Sequence, residues 1–150
     1  MNKYGKTDIS ELRSSFRVER RDGDVQKAYA IALEILDHPD GGLSDFFSAA
    51  ECALRLNLFE NVAEHSSNVI SVSLRDGNNY YLSQAYFWRA YSNYMLGNFA
   101  LASSDLEIID DVRGVFYLYS VVPEKSLKQF SVCDLNEMIK NASDKKESSS

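Results

Sequence analysis

Three short segments of the chain share one pattern, and this pattern constrains the fold more than any other feature. Each segment starts with a small or flexible residue, has an apolar or aromatic residue two positions later, and continues with helix-forming residues. The segments start at Gly23, Asn57 and Gly97, so the first two starts are 34 residues apart and the last two are 40 apart. Such spacing is typical of helical hairpins that stack side by side.

The longer second interval has a visible cause in the sequence. Residues 75–79 (Arg-Asp-Gly-Asn-Asn) form a turn-forming cluster between the second and third segments, and a longer loop there absorbs the six extra residues. A second helix stop lies at residues 38–42, which contain a proline and two glycines. Elsewhere breakers are rare, because the whole chain has only 2 Pro and 7 Gly, and this favours helices.

A stretch of helical periodicity precedes each of the three segments. Apolar residues recur there at intervals of three and four positions, as expected for one buried face of a helix. They are Ile9, Leu12 and Phe16 in the first stretch, Phe46, Ala49, Ala50, Ala53 and Leu54 in the second, and Tyr86, Ala90 and Tyr94 beside Phe87 and Tyr91 in the third. We predict that these helices have Asp8 or Thr7, Ser44 and Ser83 as N-caps.

The third unit carries a recognisable order of residue types. An aromatic residue is followed by a small residue four positions later, then by a Leu-Gly pair, a second aromatic residue and an alanine: Tyr86, Ala90, Leu96-Gly97, Phe99 and Ala102. This order resembles a tetratricopeptide repeat. The segment from Gly23 to Ala28 matches half of the pattern, whereas the middle unit has Asn57 in place of the turn glycine and Val62 near the usual alanine. The resemblance covers residues 9–110.

The predicted fold is all-α, with three stacked antiparallel, tetratricopeptide-like helix–turn–helix hairpins and C-terminal capping helices. We expect an N-terminal extension (1–8), one helical domain (9–141) with repeats at 9–40, 43–76 and 83–111 and a cap at 112–141, and a disordered tail (142–150). In the cap, residues 112–122 are apolar enough to cover a helix face. Ser131 and Asp134 have capping-box spacing before a stripe of Leu135, Met138 and Ile139.

No pattern in the sequence indicates catalysis. There is no glycine motif for nucleotides, and His38 and His65 are isolated and outside any metal-ligand spacing. Glu60 and Glu64 lie one helical turn apart, which more often marks a solvated helix face than an acid/base pair. We therefore expect no enzyme activity, no cofactor and no metal.

Charge and hydropathy narrow the possible partners and compartment. The formal net charge of -6 disfavours binding to nucleic acid or to an anionic membrane. No apolar run approaches the roughly 18–20 residues of a membrane span, and the first residues do not resemble a secretory signal. Cys52 and Cys133 are interpreted as two buried free thiols rather than as a single long-range disulfide. These features predict a cytoplasmic protein.

The resemblance also implies a binding surface. In tetratricopeptide proteins the first helix of each hairpin lines a concave groove, and counting back from each turn gives the positions that would face a partner. They are Arg13, Arg17, Arg20, Arg21, Phe47, Glu51, Arg55, Gln84, Phe87, Trp88, Tyr91 and Met95. The groove would be basic at one end and aromatic at the other, which suits a protein or peptide segment with acidic and apolar residues. An adaptor or a chaperone is the predicted function.

Other interpretations stay open at this point. Aromatic residues at helical spacing also form cores, and the arginines could be solvated or paired with Glu11, Glu19 and Asp22. An acidic protein without catalytic residues could also be an immunity or antitoxin-like inhibitor that covers a basic toxin, using acids such as Glu60 and Glu64. A hydrolase or transferase with an unrecognised site would need a deep pocket with convergent polar groups.

Overall fold

The first six helices of the protein form three consecutive pairs. A computed structural model of the chain describes residues 8–110, 114, 116–119 and 127–148. Its helix pairs are α1 (Ile9–Arg21) with α2 (Val25–Asp37), α3 (Leu43–Arg55) with α4 (Phe59–Asp76), and α5 (Leu82–Met95) with α6 (Phe99–Ile108). The pairs correspond to the predicted units, except that α5 begins at Leu82, one residue before the predicted bound. α2 packs on α3 as α4 packs on α5. The predicted all-α class is confirmed.

The turns within the three pairs have the same backbone geometry. Gly23, Asn57 and Gly97 all have positive φ, at 86°, 59° and 82°. The N–H of each bonds to the carbonyl three residues earlier, and the next N–H bonds to the carbonyl five residues before it. Glycine adopts this left-handed conformation without steric cost, and asparagine tolerates it better than most residues. Asn57 therefore takes the role of the turn glycine in the middle pair.

The contact between the two helices of each pair depends on one buried position. It lies five residues after the turn residue and is occupied by Ala28, Val62 and Ala102, none of which is exposed to solvent. A small side chain at this place lets the paired helices approach closely, and the middle pair accommodates a valine. The first helices contribute Phe16, Ala50 and Ala90 to the same core.

The starts of the first helices agree only in part with the sequence prediction. Asp8 is the N-cap of α1, as predicted, and its side chain accepts a hydrogen bond from the N–H of Ser10. Ser44 and Ser83 are not N-caps, because α3 and α5 begin before them, at Leu43 and Leu82.

Asp45 explains the earlier start of α3. Its carboxylate accepts a hydrogen bond of 2.9 Å from the N–H of Gly42, the residue before the helix, and so satisfies a donor at the helix start. The connection between α4 and α5 begins at Gly77, which has a left-handed backbone, and spans residues 77–81. It is no longer than the connection at residues 38–42, so the prediction of a longer loop there is wrong. The six extra residues lie in the helices instead, because α4 has 18 residues against 13 in α2, and α5 has 14 against 13 in α3.

The C-terminal part includes a small sheet that the sequence did not predict. β1 (Phe116–Tyr119) and β2 (Leu127–Phe130) pair antiparallel, with Phe116 opposite Phe130. Only part of the apolar stretch 112–122 lies among the described residues, and there it forms a strand because its aromatic residues favour extended backbone. The cap of the described chain is thus one hairpin and one helix instead of helices alone.

The last helix, α7 (Val132–Ser148), closes the third pair. Ser131 and Asp134 exchange the two predicted capping hydrogen bonds, at 2.8 and 3.1 Å. Leu135 and Ile139 are buried and Met138 packs beside them, so the predicted apolar stripe is confirmed. The helix continues to Ser148, which differs from the predicted disordered tail over residues 142–148. Lysine and glutamate in this stretch have high helix propensity.

Candidate protein-binding groove

The first helices of the three pairs share one surface that contains two adjoining hollows. The arginine hollow, of about 230 Å³, lies between α1, α2 and α3 and is lined by Arg13, Phe16, Arg17, Arg20, Ala32, Ile35, Ser44, Asp45 and Ser48. The tyrosine hollow, of about 460 Å³, lies between α1, α3 and the start of α5 and is lined by Arg20, Ser44, Phe47, Ser48, Glu51, Tyr80, Tyr81 and Gln84. They share Arg20, Ser44 and Ser48 and therefore adjoin; the two hollows together are called the groove below.

Arg13 ties α1 to α3 at one end of the groove. Its Nε and Nη2 donate to the two carboxylate oxygens of Asp45, at 3.1 and 2.6 Å, in the forked geometry that suits guanidinium and carboxylate. Nη2 also lies 3.3 Å from the carbonyl oxygen of Asp40. The hydrogen bond with Asp45 raises the pKa of the Arg13 guanidinium. Arg13 is therefore a cross-link between the first two pairs, and its charge is compensated.

Glu51 is the centre of a second ionic cluster. Its carboxylate is buried, and Nη2 of Arg20 lies 2.9 Å from one oxygen and 2.7 Å from the other. Nε of Arg55 lies 3.5 Å from the same carboxylate, one helical turn away on α3. A buried carboxylate needs such partners, because an unpaired one would lose its hydration without compensation. Glu51 therefore holds Arg20 of α1 and Arg55 of α3 in place, and its carboxylate joins the two helices instead of facing a partner.

The arginine partners come mainly from the neighbouring pair. The sequence left Glu11, Glu19 and Asp22 open as alternative partners. Among the residues that the structure describes, Asp22 is the one of these three that pairs with a predicted arginine, Arg21, at 3.4 Å. Arg21 is exposed and lines neither hollow. The carboxylates of α3 replace the others because stacking places α1 beside α3.

Arg17 differs from the other arginines of the hollow. Its Nη2 donates to Oγ of Ser14 at 3.2 Å, and within the described residues no carboxylate lies within 4 Å of its guanidinium. The side chain is exposed and lines the arginine hollow. Arg17 is therefore a positive charge on the groove that the described part of the chain does not neutralise.

The accessible aromatic part of the groove is formed by Phe47, Tyr80 and Tyr81. The Phe47 ring stacks on Tyr81 with centroids 4.3 Å apart and, on its other side, on Trp88 at 4.6 Å. Tyr80 forms a T-shaped pair with Tyr81, with ring centroids 4.8 Å apart, and is 84% exposed. The two tyrosines were not predicted as site residues, since they lie in the loop before α5. Two adjacent aromatic residues in an otherwise polar turn were the signal that could have identified them.

Phe87 and Trp88 do not form the open aromatic wall that was expected, because both side chains are buried. Phe87 stacks on Phe116 of β1 with centroids 4.5 Å apart. Trp88 donates from Nε1 to the carbonyl oxygen of Tyr117 at 2.9 Å. The hairpin thus lies over this end of α5, and these two residues belong to the core, which was the alternative interpretation.

Of the other predicted residues on α5, Gln84 lines the groove, whereas Tyr91 and Met95 line neither hollow. Tyr91 is half-buried and packs against Phe59 in a T-shaped arrangement with ring centroids 5.9 Å apart, and burial raises the pKa of its hydroxyl. Met95 is exposed near the end of α5 and lines neither hollow. Gln84 lines the tyrosine hollow, and its Nε2 is buried without a hydrogen-bond partner among the described residues.

Metal-ligand clusters and membrane-length helices are the features that would indicate other functions. No cluster of three or more metal-ligating side chains occurs in the described part of the chain, and none of its helices has the length and apolar content needed to cross a bilayer. Tyr29, His65 and Asn61 form a buried polar group, with the Tyr29 hydroxyl 2.9 Å from His65 Nε2 and from Asn61 Nδ2. Burial lowers the pKa of His65.

No protein-family model and no curated protein matches the chain.

Proposed function

We propose that the chain is a tetratricopeptide-like interaction module, an adaptor or a chaperone, that binds a segment of another protein in the groove. The observation that carries this proposal is that the two hollows adjoin, with Arg17 lining one and the exposed Tyr80 lining the other. A surface of this kind offers one end for an acidic residue and the other for an apolar one. It is the arrangement expected for a partner segment with acidic and apolar residues.

The aromatic end supports binding of a protein segment. Tyrosine is enriched among the residues that contribute most to protein–protein affinity, because it buries much area and keeps a polar tip. Tyr80 and Tyr81 lie side by side at the groove, and Phe47 packs behind them. An apolar side chain of the partner would cover these rings and remove them from water.

The polar groups between the two ends suit a peptide backbone. Each residue of an extended chain brings an N–H and a C=O that need partners when they are buried. Ser44 and Ser48 line both hollows, and a hydroxyl can both donate to a carbonyl oxygen and accept from an N–H of a bound segment.

The proposal includes no catalysis and no cofactor, and it places the protein in the cytoplasm. Cys52 and Cys133 are both free, which fits a reducing compartment. The net charge of -6 argues against nucleic acid as the partner. The second candidate function, an inhibitor of a basic toxin, is favoured by the exposed pair Glu60 and Glu64 on α4, outside the groove.

The test compares partner capture by the tagged wild type with capture by three variants. Arg17→Gln and Tyr80→Ala/Tyr81→Ala change the two ends of the groove, and Arg75→Gln is the matched control, an exposed arginine on α4. All are first checked for unchanged helicity. We expect one partner that the wild type and the control retain and that both groove variants lose. A partner retained by both groove variants but lost by Glu60→Lys/Glu64→Lys would refute groove binding and support the inhibitor.

A further inference from the structure

The arginine hollow combines an apolar floor with a polar rim. Phe16, Ala32 and Ile35 line it from α1 and α2 and are themselves almost fully buried. The rest of the lining is polar and consists of three arginines, Asp45, Ser44 and Ser48. A ligand that fills this hollow therefore needs an aliphatic part and, next to it, a group that accepts hydrogen bonds from cations.

The charges around the hollow favour one negative charge on that group. Asp45 compensates Arg13 and Glu51 compensates Arg20, which leaves Arg17 as the cation without a carboxylate partner in the described chain. A guanidinium has five N–H donors in a planar fork, and the only side-chain hydrogen bond of Arg17 in the described part is the one to Ser14. Several of its donors therefore remain for a ligand oxygen.

We propose that this hollow binds a carboxylate that is joined to an aliphatic group, with Arg17 as the residue that pairs with the carboxylate. The proposal rests on the proposed function, since it specifies what one end of the bound segment must carry. A C-terminal residue with an aliphatic side chain has this chemistry, and so does an acidic side chain next to an aliphatic one. Phe16 and Ile35 contact the aliphatic group, and Ser44 and Ser48 donate to the carboxylate or to the adjoining peptide.

The lining distinguishes a carboxylate from a phosphate. Asp45 and Glu51 compensate Arg13 and Arg20, so in the described lining the positive charge left uncompensated is that of Arg17. This charge balances a single carboxylate but only half of a phosphate dianion. The apolar floor also gives nothing to the oxygens of a phosphate, which would lose their hydration there. The volume of about 230 Å³ is below the ~300–1,000 Å³ of drug-sized sites. It therefore suits one residue rather than a large cofactor.

The experiment uses the full chain and short peptide probes. The probes are acetyl-Gly-Gly-Leu with a free C-terminal carboxylate, the same peptide as its C-terminal amide, and acetyl-Gly-Glu-Leu-amide, whose only carboxylate is a side chain. Binding is followed by NMR through the Nε–Hε signal of Arg17 and by calorimetry. We expect at least one carboxylate probe to bind and the neutral amide to bind at least about tenfold more weakly, the loss expected from one charge-assisted hydrogen bond.

The two carboxylate probes identify the source of the group. If the free C-terminus binds more tightly, the hollow reads a chain end, and if the glutamate peptide binds as well or better, it reads an acidic side chain. Both results support the proposal. Equal binding of the neutral amide would overturn it. So would displacement of the best carboxylate probe by inorganic phosphate at equal concentration, because the hollow would then bind anions in general.

Two variants assign the effect to Arg17. Arg17→Gln removes the charge from an exposed side chain and should weaken the carboxylate probe at least about tenfold without changing the melting temperature. Arg75→Gln, an exposed arginine outside the groove, should bind the probe like the wild type. Unchanged binding by Arg17→Gln would refute the assignment.

These results are separable from the test of the proposed function. If no probe binds but partner capture still depends on Tyr80 and Tyr81, the groove function stands and the carboxylate site falls. If the probe binds at Arg17 but capture ignores the groove, the carboxylate site stands and the groove function falls.

Discussion

The ion pair between Arg89 and Asp105 tests whether burial determines how much an ion pair contributes to the stability of this protein. It joins α5 to α6, and Arg89 donates from Nε and Nη2 to the two carboxylate oxygens of Asp105 at 2.8 and 2.7 Å. Nη1 of Arg89 also bonds to Oγ of Ser67 on α4, at 3.0 Å, so the guanidinium links three helices. The side chain of Asp105 is 7% exposed and that of Arg89 is 26% exposed.

Asp105→Ala should destabilise the protein because it leaves the guanidinium of Arg89 without its counter-charge. Breaking a fully buried ion pair costs about 3–5 kcal/mol. A quarter of the Arg89 side chain reaches water, so we expect a smaller loss, about 2–3 kcal/mol of unfolding free energy. In a chain of this size that corresponds to a fall in melting temperature of about 5–10 °C. Urea unfolding followed by far-UV circular dichroism measures it.

The chain offers a matched control in Arg75 and Asp76. This arginine also donates to both carboxylate oxygens, at 2.8 and 3.2 Å, but the two side chains are 71% and 49% exposed. Asp76→Ala should leave the unfolding free energy unchanged within error, because water and ions screen the exposed pair. If the two variants lose equal stability, burial does not set the contribution of these pairs and the reasoning is refuted.

Three further predictions follow from single residues. Gly97→Ala should lower the unfolding free energy by about 1 kcal/mol, because a φ of 82° strains any L side chain. Gly42→Ala should leave it unchanged, because φ there is -139° and the new methyl group has open space around it. Equal losses in urea unfolding would contradict this prediction. Cys133 should react with iodoacetamide in the native protein while Cys52 stays unmodified, because Cys52 is buried and burial raises the pKa of its thiol to about 12. Mass spectrometry counts the modified cysteines, and modification of both in the folded protein would contradict this prediction. Burial lowers the pKa of His65 in the folded state, so the stability that its neutral form contributes is complete above pH ~6.5. As the pH falls below that value, the unfolding free energy should decrease by at most about 1.4 kcal/mol per pH unit. His65→Gln should flatten this part of the plot of unfolding free energy against pH, and an unchanged plot would exclude His65 as the cause.

The local part of the fold was predictable from the sequence. The turns at Gly23, Asn57 and Gly97 depend on residues within one helical turn, so a pattern read along the chain identifies them. The capping interaction of Ser131 with Asp134 is local in the same sense. Burial of Cys133 was predicted as well, but this residue is exposed on α7, because the buried stripe of that helix passes through Leu135.

The parts that were missed depend on residues far apart in the chain. Arg13 pairs with Asp45 across 32 positions and Arg20 with Glu51 across 31, so these contacts exist only because α1 lies beside α3. Helical periodicity shows that the arginines share one face of α1, but it does not show which helix packs against that face.

The burial of Trp88 has a similar cause. It depends on the β1–β2 hairpin, and a strand of only four residues forms because it pairs with a partner strand that lies elsewhere in the sequence. The accessible aromatic residues of the groove are therefore Tyr80 and Tyr81, in the loop before α5, whereas the sequence predicted Phe87 and Trp88 on α5.

The position of the arginine hollow at the end of the stack couples ligand binding to local unfolding. In a linear array each pair is held only by its neighbour, so the α1–α2 pair can open while the rest stays folded. The hollow needs α1, α2 and α3 together and vanishes in that partly open state. A ligand present at 100 times its dissociation constant should therefore lower the population of that state by a factor of about 100, equal to about 2.7 kcal/mol. Amide hydrogen exchange in α1 and α2 should slow accordingly, while exchange in α5 and α6 stays the same.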